Sequence, residues 1–141
     1  MKYLVTGAAG FIGYHTAKIL LENNNEIIGI DNINDFYDIN LKNARLKELS
    51  KHENFNFHDT DLTNKSDVLN LQNEDKIDAI IHLAAYAGVR ISLSDPWAYQ
   101  ENNVTATLNL LELCKISNIK NFTLASTSSV YGDNKTLPTN E

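Results

Sequence analysis

The chain has 141 residues, 43% of them hydrophobic and 21% charged, with a formal net charge of −6 and a single cysteine. That is one domain's worth of sequence with the make-up of a soluble globular protein and room for a real core. The acidic balance, without a basic patch, excludes an ordinary nucleic-acid binder; no apolar run is long enough to cross a bilayer, and lone Cys114 rules out an intrachain disulfide.

Tyr3-Leu4-Val5 is a short apolar run that meets three glycines spaced by three, Gly7, Gly10 and Gly13, before an amphipathic stretch from Phe11 to Leu21. The pattern predicts a buried strand, a tight turn and a helix start. Such a turn presents bare backbone N–H groups and a helix N-terminus to a diphosphate. In that role Gly7 makes the turn, Gly10 lets the pyrophosphate approach, and Gly13 lets helix and strand pack. The Asn23-Asn24-Asn25 run reads as a turn into a second apolar strand, Glu26 to Ile30, which ends in Asp31. Asp31 lies eighteen residues beyond Gly13. A dinucleotide fold needs an acid near that distance to bind the adenosine ribose hydroxyls. An acid favours NAD, because it repels a 2′-phosphate, and no arginine adjoins Asp31 in sequence.

The rest of the chain alternates. Leu41 to Leu49 is a helical pattern. Phe55 to His58 is a strand ending in Asp59 and Asp61. Thr63 to Leu71 reads as a helix with Thr63 as its N-cap. Ile77 to Leu83 is strand-like, Asp95 to Ile116 has helical spacing and holds Cys114 in its apolar part, and Asn121 to Ala125 is the fifth strand. This predicts an α/β, Rossmann-type doubly wound parallel sheet of order 3-2-1-4-5, covered on both faces. Ligands of such sheets bind at the carboxyl ends of the strands. The glycine turn, Asp31, Asp59 and Asp61, Leu83-Ala84-Ala85 and Ser126 to Ser129 all fall on that edge.

Together, Thr6 to Gly13, Asp31-Asn32, Asp61-Leu62, His82 to Ala85, Asn102-Asn103-Val104 and Ser128 to Gly132 resemble the extended short-chain dehydrogenase/reductase family, above all its nucleotide-sugar epimerases and dehydratases. Two stretches, Asp31 to Asp38 with Leu41-Lys42 and Arg45-Leu46, and Ala87 to Arg90 with Ser92 and Pro96, resemble the UDP-glucuronate 4-epimerases of that family. The resemblance implies NAD as cofactor and a nucleotide sugar as substrate. It also implies epimerisation at C4 through a transient 4-keto sugar. Cofactor contacts would come from Gly7, Gly10, Phe11, Ile12, Gly13, Asp31, Asn32, Asp61, Leu62, Leu83, Ala84, Ala85 and Asn102. Asp61 and Leu62 would flank the adenine, and the small residues after strand four would pass under the cofactor. Thr127 would be the catalytic hydroxyl, with Ser128 beside it on the substrate. Arg90 would pair with a uronate carboxylate or a phosphate, or else is a solvated surface arginine. No metal is implied, and a homodimer is allowed, with Trp97 to Cys114 able to take part.

The family's chemistry uses a Tyr-x-x-x-Lys pair on one helix face. Tyr14–Lys18 and Tyr131–Lys135 have the spacing. The first sits in the glycine-turn helix and the second encloses a turn, so neither fits. The chain is therefore expected to be the N-terminal part of a longer protein: an NAD-binding domain over residues 1–141, incomplete at its C-terminus, inactive alone and cytoplasmic. A dehydratase or decarboxylase, a UDP-glucose 4-epimerase, and a non-enzymatic NAD-binding remnant remain alternatives at this point. Asp-Glu stands in the compared dehydratases where this chain has Ser128-Ser129, which counts against them.

Overall fold

Five short apolar runs pair into one parallel sheet, in the order β3-β2-β1-β4-β5. They are β1 (Lys2–Thr6), β2 (Glu26–Asp31), β3 (Phe55–Asp59), β4 (Ala79–His82) and β5 (Asn121–Leu124). The computed structural model describes residues 1–74, 76–133 and 138. In register, Leu4 of the central strand lies between Ile28 and Ile80, and Val5 between Gly29 and Ile81.

Successive side chains of a strand face opposite sides of the sheet, and the two cores follow that parity. Leu4, Ile28, Ile30 and Ile80 share one apolar cluster with Val68, Leu110 and Leu113. Val5 and Ile27 share the other with Ala17, Leu21 and Leu49. The second cluster belongs to α1 (Phe11–Glu22) and α2 (Ile39–Leu49), the first to α3 (Lys65–Asn70) and the long helical stretch before β5. Helices thus cover both faces, as near-continuous apolar strands require. Cys114 is buried in the first cluster, and burial pushes its thiol above its ordinary pKa.

Several boundaries differ from the sequence reading, each for a local reason. Helix α2 starts at Ile39, before Leu41, because the Asp38 carboxylate caps it by accepting from Asn40 N. The N-cap of α3 is Asn64, not Thr63: Asn64 accepts from Ser66 N, while the Asp61 carboxylate accepts from both the N–H and the hydroxyl of Thr63. Strand β4 stops at His82, because the next two N–H groups, of Leu83 and Ala84, donate to the Thr6 hydroxyl. The helix expected from Asp95 does begin there. Asp95 caps it by accepting from Ala98 N, with Pro96 in its first turn. It runs as α5 (Pro96–Tyr99), a π-helical segment (Gln100–Thr105) and α6 (Ala106–Ile116). A further short helix, α4 (Val89–Ser94), and 3₁₀ turns over Leu71–Asn73 and Ser128–Tyr131 complete the described part.

Among the described residues no helix is long and apolar enough to cross a membrane, and no group of His, Cys, Asp and Glu could hold a metal ion.

Candidate cofactor site

A cleft of about 350 Å³ opens at the carboxyl ends of the strands. Its floor is the turn between β1 and α1. Gly7 has φ +67, a left-handed backbone that disfavours any side chain, and a Cβ there would stand 3.0 Å from Ala84 N. Gly10 is the N-cap of α1, with no side chain capping the helix and no acid in its first turn. The opening N–H groups of a helix have no intrahelical partner. Here they belong to Phe11, Ile12 and Gly13, and all three residues line the cleft. The donor set suits a diphosphate, which accepts from such groups and is favoured by the helix dipole.

Asp31 ends β2 and is nearly buried. Its carboxylate accepts from Ala9 N at 3.1 Å and Ile33 N at 3.0 Å. Lys42, also buried, reaches back from α2 to place its ammonium 3.6 Å from Asp31 Oδ1 and 2.8 Å from Asn34 Oδ1. Adjacency in sequence shows no cation at Asp31; the fold supplies one. Arg45, one turn further along α2, donates to the Ala9 carbonyl at 3.2 Å and to the Tyr37 hydroxyl at 3.0 Å. Tyr37 donates to the same carbonyl at 3.1 Å. Burial raises the Tyr37 phenol above its ordinary pKa, against the lowering pull of Arg45. Helix α2 therefore grips the glycine turn from outside.

Beneath the β4 end lies a closed polar chain. The Thr107 hydroxyl donates to Asn103 O at 2.7 Å, so it accepts from His82 Nε2 at 3.0 Å. His82 Nδ1 is then the acceptor for the Thr6 hydroxyl at 2.7 Å, which in turn accepts from Leu83 N and Ala84 N. Every polar atom has a partner only when the imidazole is neutral. Burial agrees, pushing the His82 pKa down from 6.5 to about 4. The folded pKa lies below the unfolded one, so the unfolded chain binds more protons between them. The stabilisation is present above pH 6.5 and is lost as pH falls towards 4. Going from pH 7 to pH 5 is expected to cost about 2 kcal/mol through this one group. Urea unfolding of wild type and His82→Asn at both pH values checks it: the variant's pH slope should be shallower by that amount.

The sequence-named residues distribute as follows. Gly7, Gly10, Phe11, Ile12, Gly13, Asp31, Asn32, Asp61, Leu62, Leu83, Ala84, Ala85 and Asn102 all line the one cleft. Asn102 also donates to Ala98 O. Thr127 and Ser128 sit exposed beyond β5, where the Thr127 hydroxyl caps the 3₁₀ turn by accepting from Ser129 N. Arg90 is exposed on α4, outside the cleft lining. Tyr14 packs against the α1 side of the sheet, and Lys18 pairs with Glu22 at 4.0 Å. Lys135 lies outside the described residues.

The sequence reading missed the roles of Lys42, Arg45, Thr6 and Asn103. The Asn103 amide accepts from Tyr86 N at 2.7 Å and donates to Tyr86 O at 3.0 Å, fixing the loop after β4. Its place beside Asn102 was the only hint. Gly10 also does more than leave space: a Cβ there would meet Gly7 O at 2.9 Å. Gly10→Val is therefore expected to abolish a NAD-induced rise in Tm and also to lower the Tm of the free protein. Melts with and without NAD check both effects.

The family model described as GDP-mannose 4,6 dehydratase matches residues 4–141. A UDP-glucuronate 4-epimerase of Thermodesulfobacterium geofontis is 52% identical over 129 residues, covering 92% of this chain and 40% of that protein. Among solved structures, the UDP-glucuronic acid 4-epimerase of Bacillus cereus in complex with UDP-glucuronic acid and NAD superposes with a TM-score of 0.84 at 42% identity. That match covers 96% of this chain and 43% of that one. A UDP-glucose 4-epimerase of Bifidobacterium longum in complex with NAD⁺ and UDP gives 0.87 at 31% identity, over 100% of this chain and 41% of that one. The chain thus spans about two fifths of the length of these relatives.

Proposed function

The chain belongs to the GDP-mannose 4,6 dehydratase family, and from that membership we propose that it is the NAD-binding part of an NAD-dependent nucleotide-sugar 4-epimerase acting on UDP-glucuronate. The observation that carries the proposal is the cleft itself. An uncapped helix N-terminus, a glycine turn and the Asp31 carboxylate face one volume, and relatives of high identity are named for this reaction. The identity to UDP-glucuronate epimerases exceeds that to the UDP-glucose enzyme, which favours the uronate.

In this reading the N–H groups of Phe11, Ile12 and Gly13 hold the diphosphate, and Asp31 and Asn32 hold the adenosine ribose. Asp61 and Leu62 border the adenine, with Asn102 on the cleft wall. Leu83, Ala84 and Ala85 would pass under the cofactor, which would supply the chemistry of taking a hydride from C4 and returning it to the other face. Thr127, with Ser128, steadies the sugar oxygen at C4, and Arg90 meets the uronate carboxylate. The exposed row of Trp97, Val104, Leu108 and Leu111 is where a second copy would pack.

Proton removal from the C4 hydroxyl needs a tyrosine tuned well below its usual pKa of about 10. Tyr14 is turned into the α1 side of the sheet with its lysine engaged by Glu22; Tyr131 is exposed at the end of the 3₁₀ turn. The 141 residues alone are accordingly expected to give no turnover. Incubation with NAD and UDP-glucuronate, followed by separation of the uronate epimers, tests the proposal in two arms. A protein that carries these residues at the length of the relatives should yield UDP-galacturonate, and the 141-residue chain should match the no-enzyme control. Lack of product from the longer protein would overturn the substrate assignment.

A further inference from the structure

This inference rests on the reading that the cleft takes NAD, and concerns what keeps it there. The loops after β2 and β4 leave the sheet on either side of β1, because β2 and β4 are its two neighbours. Any contact between those loops must cross the end of β1, where the glycine turn lies. The structure contains one. The ring of Phe36, in the β2–α2 loop, lies 4.9 Å from that of Tyr86, in the β4–α4 loop, with the planes inclined at 39°. The Tyr86 hydroxyl accepts from Asn34 Nδ2 at 3.4 Å. Phe36, Asn34 and Tyr86 all line the cleft.

Both halves of this bridge are anchored at their flanks, the Phe36 side through Asn34 and Tyr37, and that side also carries backbone strain. Tyr86 is braced on three sides. Asn103 clamps its backbone N–H and carbonyl. Tyr99 packs edge-on at 5.9 Å. The Tyr99 hydroxyl lies 2.8 Å from the carbonyl oxygens of Ala87 and Gly88 just beyond. Phe36 is 40% exposed and sits on a loop whose second residue after β2, Ile33, has φ +44. A β-branched residue in the left-handed region is strained, and its N–H is tied to Asp31. A firm post and a strained arm therefore meet above the turn.

We infer that the Phe36–Tyr86 contact is a strap that closes over the dinucleotide's diphosphate and governs how fast the cofactor leaves. A ligand seated on the glycine turn beneath a closed bridge cannot depart until the rings part. The strap should therefore act on dissociation more than on association. Losing an aromatic pair is expected to speed release about three- to tenfold.

The test uses NADH, whose fluorescence reports binding, chased from the protein by excess NAD in a stopped-flow instrument. Phe36→Ala and Tyr86→Ala should each raise the off-rate by that factor with the on-rate unchanged or higher. The double variant should be no faster than the quicker single, because both remove one contact. Phe36→Tyr should restore slow release. Ile19→Ala, an exposed apolar site on α1 outside the cleft lining, should change nothing. Wild-type off-rates in both alanine variants, or additive effects in the double variant, would overturn the strap while leaving the cofactor reading intact. Wild type that fails to bind NADH would overturn both.

Discussion

Gly13→Ala is expected to remove about 3 kcal/mol or more of folding stability and, with it, measurable NAD binding. An added Cβ would lie 2.0 Å from Gly7 O, 2.6 Å from Gly7 C and 3.1 Å from Ala8 Cα. All three are backbone atoms of the turn that the helix grows from, so no side chain can swing aside. Relief requires the start of α1 to lift off β1. That would draw Ala17 and Leu21, both buried on the sheet, out of their packing. Overpacking of this kind costs about 1–3 kcal/mol where neighbours can yield; here they cannot, which puts the expectation at the upper end or beyond. The same displacement moves the Phe11 and Ile12 N–H groups from the cleft floor. Urea unfolding checks the first effect and calorimetric titration the second. A loss below about 1 kcal/mol would mean that the helix and turn are not locked as described.

Asp31→Ala is expected to cost about 3–5 kcal/mol of stability, because it leaves the Lys42 ammonium buried without its counter-charge, and to weaken NAD at least tenfold through loss of charge-assisted ribose hydrogen bonds. The two consequences have separate causes and can be pulled apart. Lys42 is 4% exposed and 3.6 Å from Asp31; replacing both partners, as Asp31→Asn with Lys42→Met, removes the stranded charge. The double variant should regain most of the stability and none of the affinity. Equal NAD affinity in wild type and in this folded double variant would sink the ribose assignment. Loss of stability equal to that of Asp31→Ala would instead show that the two N–H groups received from Ala9 and Ile33 matter more than the charge.

How much of this was legible in the sequence depends on the range of the interaction. Strands β1, β2 and β4 were readable because each is a short, largely buried apolar run, and the more exposed edge strands β3 and β5 were readable from their place in the alternation of strand and helix. The glycine turn and Asp31 were readable because their spacing is local. Helix α4 was not, since Val-Arg-Ile-Ser-Leu-Ser alternates apolar and polar as a strand does, and none of its residues is buried. The π-helical segment left no trace in a stretch whose spacing is simply helical. The polar chain under β4 joins Thr6 to His82 and His82 to Thr107. Its members stand 76 and 25 positions apart, and no window along the chain sees them together. Lys42 is the sharpest case. A lysine among polar residues reads as surface. It becomes a buried counter-ion only because the Asp38 cap starts α2 early and turns its first face towards β2.

Calorimetric titration of the protein with NAD and, separately, with NADP decides whether the cleft is built for NAD. One saturable NAD site per chain is expected, with NADP bound at least tenfold more weakly, because the 2′-phosphate would meet the Asp31 carboxylate. Absence of saturable NAD binding, or NADP bound as tightly as NAD, would contradict that reading.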